Sequence, residues 1–282
     1  MRLYDLIVHA KRTARAKGQR HVTRKPTRPL PPLALEVAYM GAIQKRNEEL
    51  RKTLVRIVEP RVLQLVTSAG IRTDDWTDDL DAAMNLAKAT FNGIHPEEEV
   101  AQLAQDYAFQ VSAYQKKQLT NSLVKAVGVN VFFDDRGLLK KYNAFVKQNV
   151  DLITSIDQDY LDDVKTRLMS GIRAGTRVES LRATIEDRYE VSRGRASVIA
   201  RDQVGKLYGE LNRERQKSIG IDQYVWRGVE DQRERATHLS LEGNVYTWGD
   251  PPVTNDQGDR NEPGQDYCCR CTAEPVLPDV SL

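Results

Sequence analysis

One histidine and three cysteines are the residues here whose types could do chemistry together. They are His238, Cys268, Cys269 and Cys271. His238, Cys269 and Cys271 are three candidate soft ligands, with Cys268 or Asp231 as a fourth, and zinc takes such a mixed donor set. The spacing argues the other way, because Cys-x-Cys is not the usual knuckle with two to four intervening residues. Small buried cysteines that pin a C-terminal strand are the competing and plainer reading, and redox chemistry is a third. Asp231, Arg235 and His238 stand at i, i+4 and i+7, so a helix over 230–241 would place them on one face, with Asp231 fixing Arg235. Gly243 suits the turn out of that helix. Pro263-Gly264 suits a turn that returns the chain, so that Cys269 and Cys271 come near His238. A cysteine–histidine hydrolase needs more than these residues. Neither a glycine-rich phosphate loop nor a nucleophile elbow is present, so no catalytic residue is assigned and the chain is not read as an enzyme.

The second feature is charge. Residues 1–28 hold Arg2, Lys11, Arg12, Arg15, Lys17, Arg20, Arg24, Lys25 and Arg28 against a single acid, Asp5. The whole chain carries only +2, so the remainder is net acidic. A cationic segment on an acidic body can reach a phosphate backbone, and double-stranded DNA is the partner expected for it. The plainer reading is a solvated, flexible terminus. No secretory h-region follows, and no run approaches the roughly 18 apolar residues of a spanning helix, which leaves no membrane role. Clustered cysteines too few for a disulfide scaffold suit a reducing compartment.

These residues need elements to position them. Prolines 26, 29, 31 and 32 close the basic arm, residues 1–32, and make its end an extended linker. Helical periodicity then dominates from 33 to 190. The expected helices run from Leu33 to an interruption at Pro60, from a cap at Thr73 to about Phe91, and over Glu97–Val127. Others follow at about 137–153, 155–173 and 177–189, with one more over Ser192–Ile219. After Gly220 the texture changes. Tyr224-Val225-Trp226 and Asn244–Trp248 are strand-like, and Trp226 and Trp248 are expected in a small core. The fold class is mainly α: an elongated helical body over 33–190 with a small α+β module over 191–282.

The order of motifs in that module resembles one family, the Mu F-like phage head-morphogenesis proteins, also called minor head or minor capsid proteins. The resemblance lies in Ile199-Ala200-Arg201-Asp202, a strand with Trp226, Asp231-x-x-x-Arg235-x-x-His238, Gly243, Pro263-Gly264 and Cys269-Arg270-Cys271. It covers about residues 195–275. The doubled cysteine departs from the pattern and leaves open whether Cys268 or Cys269 takes the first cysteine position. The resemblance implies a virion component of the head interior or portal vertex, present in the host cytoplasm during assembly. It implies portal or major capsid protein as partner, and roles in packaging or DNA ejection. Two alternatives stand beside it: a DNA-binding accessory protein with no fixed capsid position, and a small zinc-stabilised enzyme.

Overall fold

The computed structural model describes residues 2–21, 23–67 and 76–280. Among these the chain is mainly helical, with one three-stranded sheet near the C-terminus. The elements are α1 (Leu3–Ala16), α2 (Leu33–Thr67), α3 (Trp76–Ile94), α4 (Glu97–Val127), α5 (Leu139–Arg173) and α6 (Val178–Ser218). They continue with β1 (Gln223–Arg227), α7 (Ala236–Leu239), β2 (Val245–Thr247) and β3 (Thr272–Pro275). The expected cap at Thr73 lies outside the described residues.

Several expected breaks do not occur. Pro60 sits inside α2. Its ring faces solvent, where water can meet the carbonyl it leaves unpaired, while Leu54, Val58, Val62 and Leu65 continue one buried stripe past it. The expected helices at 137–153 and 155–173 are one, α5. The hydroxyls of Thr154 and Ser155 donate to Val150 O and Leu152 O instead of opening the chain. The helices expected at 177–189 and 192–219 likewise merge into α6, where Ser192 Oγ donates to Arg188 O. The opposite error occurs over 230–241, which is helical only at Ala236–Leu239. Asp231 Oδ1 accepts from Arg233 N, and Asp231 O from Glu234 N, closing a turn ahead of α7. Arg235 is extended at φ −67°, ψ 141°.

The chain divides into two compact units. One comprises Val37–Gln105 and Val146–Ala200. Among the described residues its elements are all helices, and its core joins Leu50, Leu54, Val58, Leu80, Phe91, Val164 and Leu168. Inside it Arg46 donates to Asp157 at 2.9 Å and to His95 O at 3.0 Å.

The other unit comprises Met1–Glu36, Asp106–Phe145 and Arg201–Leu282. Its basic segment is not a loose arm. Leu3 and Ile7 of α1 are buried with Leu119, Leu123, Ile219 and Ile221. The proline-rich stretch, expected as a linker, is a strap running antiparallel to α4. Arg24 N donates to Ala126 O, Thr27 N to Ser122 Oγ and Leu30 N to Gln118 Oε1. Its extended backbone cannot satisfy itself and uses α4 instead. The sheet has the order β2-β1-β3, antiparallel throughout, with Tyr224 opposite Tyr246 and Trp226 opposite Ala273. Tyr224, Trp226, Leu241, Trp248, Cys269, Cys271 and Ala273 form its core. No described helix is long and apolar enough to cross a membrane.

Candidate functional site

The site is organised by one face of α6 that hydrophobic periodicity does not reveal. Asp202, Gly205, Gly209, Asn212 and Gln216 recur at alternating three- and four-residue steps and therefore share a face. Each holds the C-terminal segment. Asp202 Oδ1 accepts from Cys268 N at 2.9 Å. A Cβ on Gly205 would stand 2.8 Å from Cys269 O, and one on Gly209 would stand 2.4 Å from Pro263 O. Asn212 Nδ2 and Gln216 Nε2 both donate to Ala273 O. Gly264 meets this face at φ +94°, where a side chain would also strike Gly205 O. The expected return at Pro263-Gly264 is thus a close backbone approach to two glycines.

That approach delivers the cysteines to α7. His238 is buried, with Nδ1 3.4 Å from Cys271 Sγ and 3.7 Å from Cys269 Sγ. The ligand atoms of these three residues lie within 4.8 Å of one another. The other ring nitrogen, Nε2, is 2.9 Å from Asp266 Oδ2. Asp266 Oδ1 in turn accepts from Asn261 Nδ2 at 2.8 Å. Trp226 meets the imidazole edge-on. Cys271 N donates to Cys269 Sγ, and Cys271 Sγ donates to Glu234 Oε1 at 3.7 Å.

The electrostatics follow from these contacts. The neighbouring Cys271 side chain holds the Cys269 thiol well below its ordinary value against its burial, with His238 adding to the effect. The Cys271 thiol is pushed up, first by that partner and then by burial. Burial opposes protonation of His238, but Cys269 and Asp266 outweigh it and its pKa is raised. The cluster is therefore either a set of soft donors or a hydrogen-bonded staple between α7 and the C-terminal strand.

Cys268 stands apart from this group. It is half-buried at φ +54°, its amide bound to Asp202 and its thiol raised by burial. Cys269 is the first cysteine that faces His238. Asp231 does not pair with Arg235, because the intervening residues form a turn. It takes both guanidinium nitrogens of Arg270, each at 2.6 Å. Arg235 instead donates to Tyr267 O at 2.6 Å. Gly243, at φ +78°, closes the turn after α7 by donating to Trp226 O.

The basic residues divide. Arg28 is committed internally, donating to Glu230 at 3.0 Å and to Gly228 O, and Lys11 donates to Val280 O. Arg2, Arg12, Arg15, Lys17, Arg20, Arg24 and Lys25 are exposed.

Sequence reasoning passed over Gly205, Gly209, Asn212, Gln216, Glu234, Asn261 and Asp266. The small-and-polar stripe at three- and four-residue steps was a readable signal for the first four. Nothing in the sequence marks Asn261 or Asp266, which lie in an irregular loop.

Residues 162–274 match the family model described as phage Mu protein F like protein. This coincides with the resemblance read from residues 195–275. An uncharacterized protein of Haemophilus influenzae is 30% identical over 178 residues, covering 62% of this chain and 39% of that protein. The chain thus spans about two fifths of that relative's length. No solved structure matches it.

Proposed function

With residues 162–274 a phage Mu protein F like region, we propose that this chain is a phage head-morphogenesis protein. In this reading it associates with the portal vertex or inner capsid and meets packaged double-stranded DNA through α1 and the strap, acting in head assembly, packaging or ejection. The observation that carries the DNA part is the exposure of Arg12, Arg15, Lys17, Arg20, Arg24 and Lys25 on a segment anchored by Leu3 and Ile7. Among the described residues no ion pair neutralises those six. An anchored cationic surface is available to phosphates without the ordering cost of a loose tail. A structural role is supported by Cys269 and Cys271, which are buried and face His238 rather than lining an open cleft.

The anchoring decides the experiment. Deleting residues 1–28 would expose the pocket that Leu3 and Ile7 fill, so charge removal is the cleaner test. Changing Arg12, Arg15, Arg20, Arg24 and Lys25 to Gln should weaken retention of a DNA fragment. The slope of log affinity against log salt should become shallower by about 0.9 for each phosphate that is no longer neutralised. Identical slopes for the two proteins would refute the DNA role. Co-purification with portal oligomers should survive the same changes. DNA binding without portal binding would favour the accessory protein with no fixed capsid position.

A further inference from the structure

We propose that His238, Cys269 and Cys271 bind one zinc ion, with Glu234 as the fourth ligand. The centre staples the α7 turn to β3. This stands independently of the role in head assembly.

The geometry is the first support. A tetrahedral zinc with bonds of about 2.3 Å to sulfur and about 2.0–2.2 Å to nitrogen or oxygen has mixed ligand–ligand edges of about 3.6 Å. The edges from His238 Nδ1 to the two sulfurs are 3.4 and 3.7 Å, and that from Glu234 Oε1 to Cys271 Sγ is 3.7 Å. Glu234 lies outside the group whose ligand atoms are all within 4.8 Å of one another, on its Cys271 side. Ligation requires its carboxylate to move from the Cys271 side of the group into the fourth position.

The surroundings are the second support. His238 offers Nδ1 to the thiols while Nε2 is held by Asp266, itself held by Asn261. A carboxylate on the far nitrogen of a ligating histidine fixes the ring and raises its basicity. Glu234 is held comparably, by one oxygen. Oε2 accepts from Glu230 N, and Oε1 is turned to the sulfur. A Cβ on Gly228 would stand 1.9 Å from Oε1, so glycine there leaves the space the carboxylate fills. Two non-glycine residues among those described have left-handed backbone, and they lie on the loops that carry the ligands. They are Glu230 at φ 58° and Cys268 at φ 54°. Strain of this kind persists where surrounding structure over-determines it.

The donor chemistry is the third support. Two thiolates, an imidazole and a carboxylate suit zinc and exclude magnesium or calcium, which take oxygen ligands alone. A closed four-protein-ligand shell is structural, with no position left for substrate.

The test uses the full chain, purified under reducing conditions from zinc-supplemented cells. Elemental analysis should find one zinc per chain, and cobalt substitution should give the visible spectrum of tetrahedral thiolate ligation. Cys268→Ser should keep the metal. Asp266→Asn should lower zinc affinity about 10–100-fold in competition with a chelator. Glu234→Gln, at a half-exposed position that need not disturb folding, should also weaken binding and alter the cobalt spectrum. Zinc-free protein whose melting temperature ignores both zinc and chelator would overturn the centre and leave the cysteines as packing groups. One zinc per chain with Glu234→Gln unchanged in affinity and spectrum would overturn Glu234 as ligand.

Discussion

Two glycines of α6 should respond to the same substitution with opposite signs. Alanine stabilises a helix over glycine by about 1 kcal/mol. At Gly194 an added Cβ meets nothing within 4 Å, so Gly194→Ala should raise stability by roughly that amount. At Gly209 the Cβ would stand 2.4 Å from Pro263 O and 3.4 Å from Gly264 Cα. The first distance is about 1 Å short of an ordinary contact. The obstacle is backbone, and it cannot simply withdraw, because Gly264 is itself pressed on Gly205 O. Overpacking of this kind costs about 3 kcal/mol at the upper end of its range. After the helix gain, Gly209→Ala should lose about 2 kcal/mol. At 2–4 °C per kcal/mol, that is a fall of about 4–8 °C in melting temperature. Urea unfolding followed by tryptophan fluorescence would measure both, with Trp226 and Trp248 reporting on the unit that holds Gly209 and Trp76 on the other. If Gly209→Ala stabilises as Gly194→Ala does, the close approach of the loop to α6 is wrong.

Two further substitutions probe the same unit. Arg215 is buried and donates to Ser112 O, Ser112 Oγ, Gln115 Oε1 and Asp135 Oδ1. Arg215→Met strands those acceptors and should cost about 3–5 kcal/mol in denaturant unfolding, whereas a change under 1 kcal/mol would show the network to be dispensable. The Arg270 guanidinium holds the Asp231 carboxyl down to about 2, below its ordinary 3.8. A depressed carboxyl stabilises the fold above its unfolded pKa and loses that contribution as pH falls through the folded value. Asp231→Asn should therefore melt below wild type at neutral pH, with the gap closing between about pH 4 and 2. A gap independent of pH would assign the loss to something other than the charge.

The sequence-based reading succeeds where one periodicity dominates. Glu97–Val127 is a helix between the residues expected, and Tyr224–Trp226 lies in a strand with Trp226 in the core. It fails where a local breaker meets tertiary packing. Pro60, Ser155 and Ser192 all weaken a helix locally, yet a buried stripe or a side-chain hydroxyl carries the helix past each. It fails in the other direction at Asp231, whose carboxylate caps a turn more readily than it joins a helix. The meeting of His238 with Cys269 and Cys271 was legible because a proline-glycine turn must return the chain. Glu234 and Asp266 were not, since an acid in a polar loop looks the same whether it faces solvent or a ligand.

The three strands cannot stand alone. A sheet of such short strands lacks the buried area that independent folding requires. Its supports come from distant sequence. Gln216 Oε1 accepts from Trp248 Nε1, Gln216 and Asn212 bind Ala273 O, and Thr272 Oγ1 donates to Pro29 O of the strap. The strap is thereby bound both to α4 and to β3, and Arg28 reaches the loop after β1. This explains why a stripe of Asp, Gly, Asn and Gln is useful on a helix that could have carried leucines. The segment it receives is irregular backbone, whose carbonyls and amides must be paired when buried and whose path needs glycine to come close. An apolar face would have buried as much area while leaving Ala273 O and Cys268 N unsatisfied. The cysteines reach His238 because α6 supplies hydrogen bonds and clearance, and the same economy ties the cationic strap to the site's own strand.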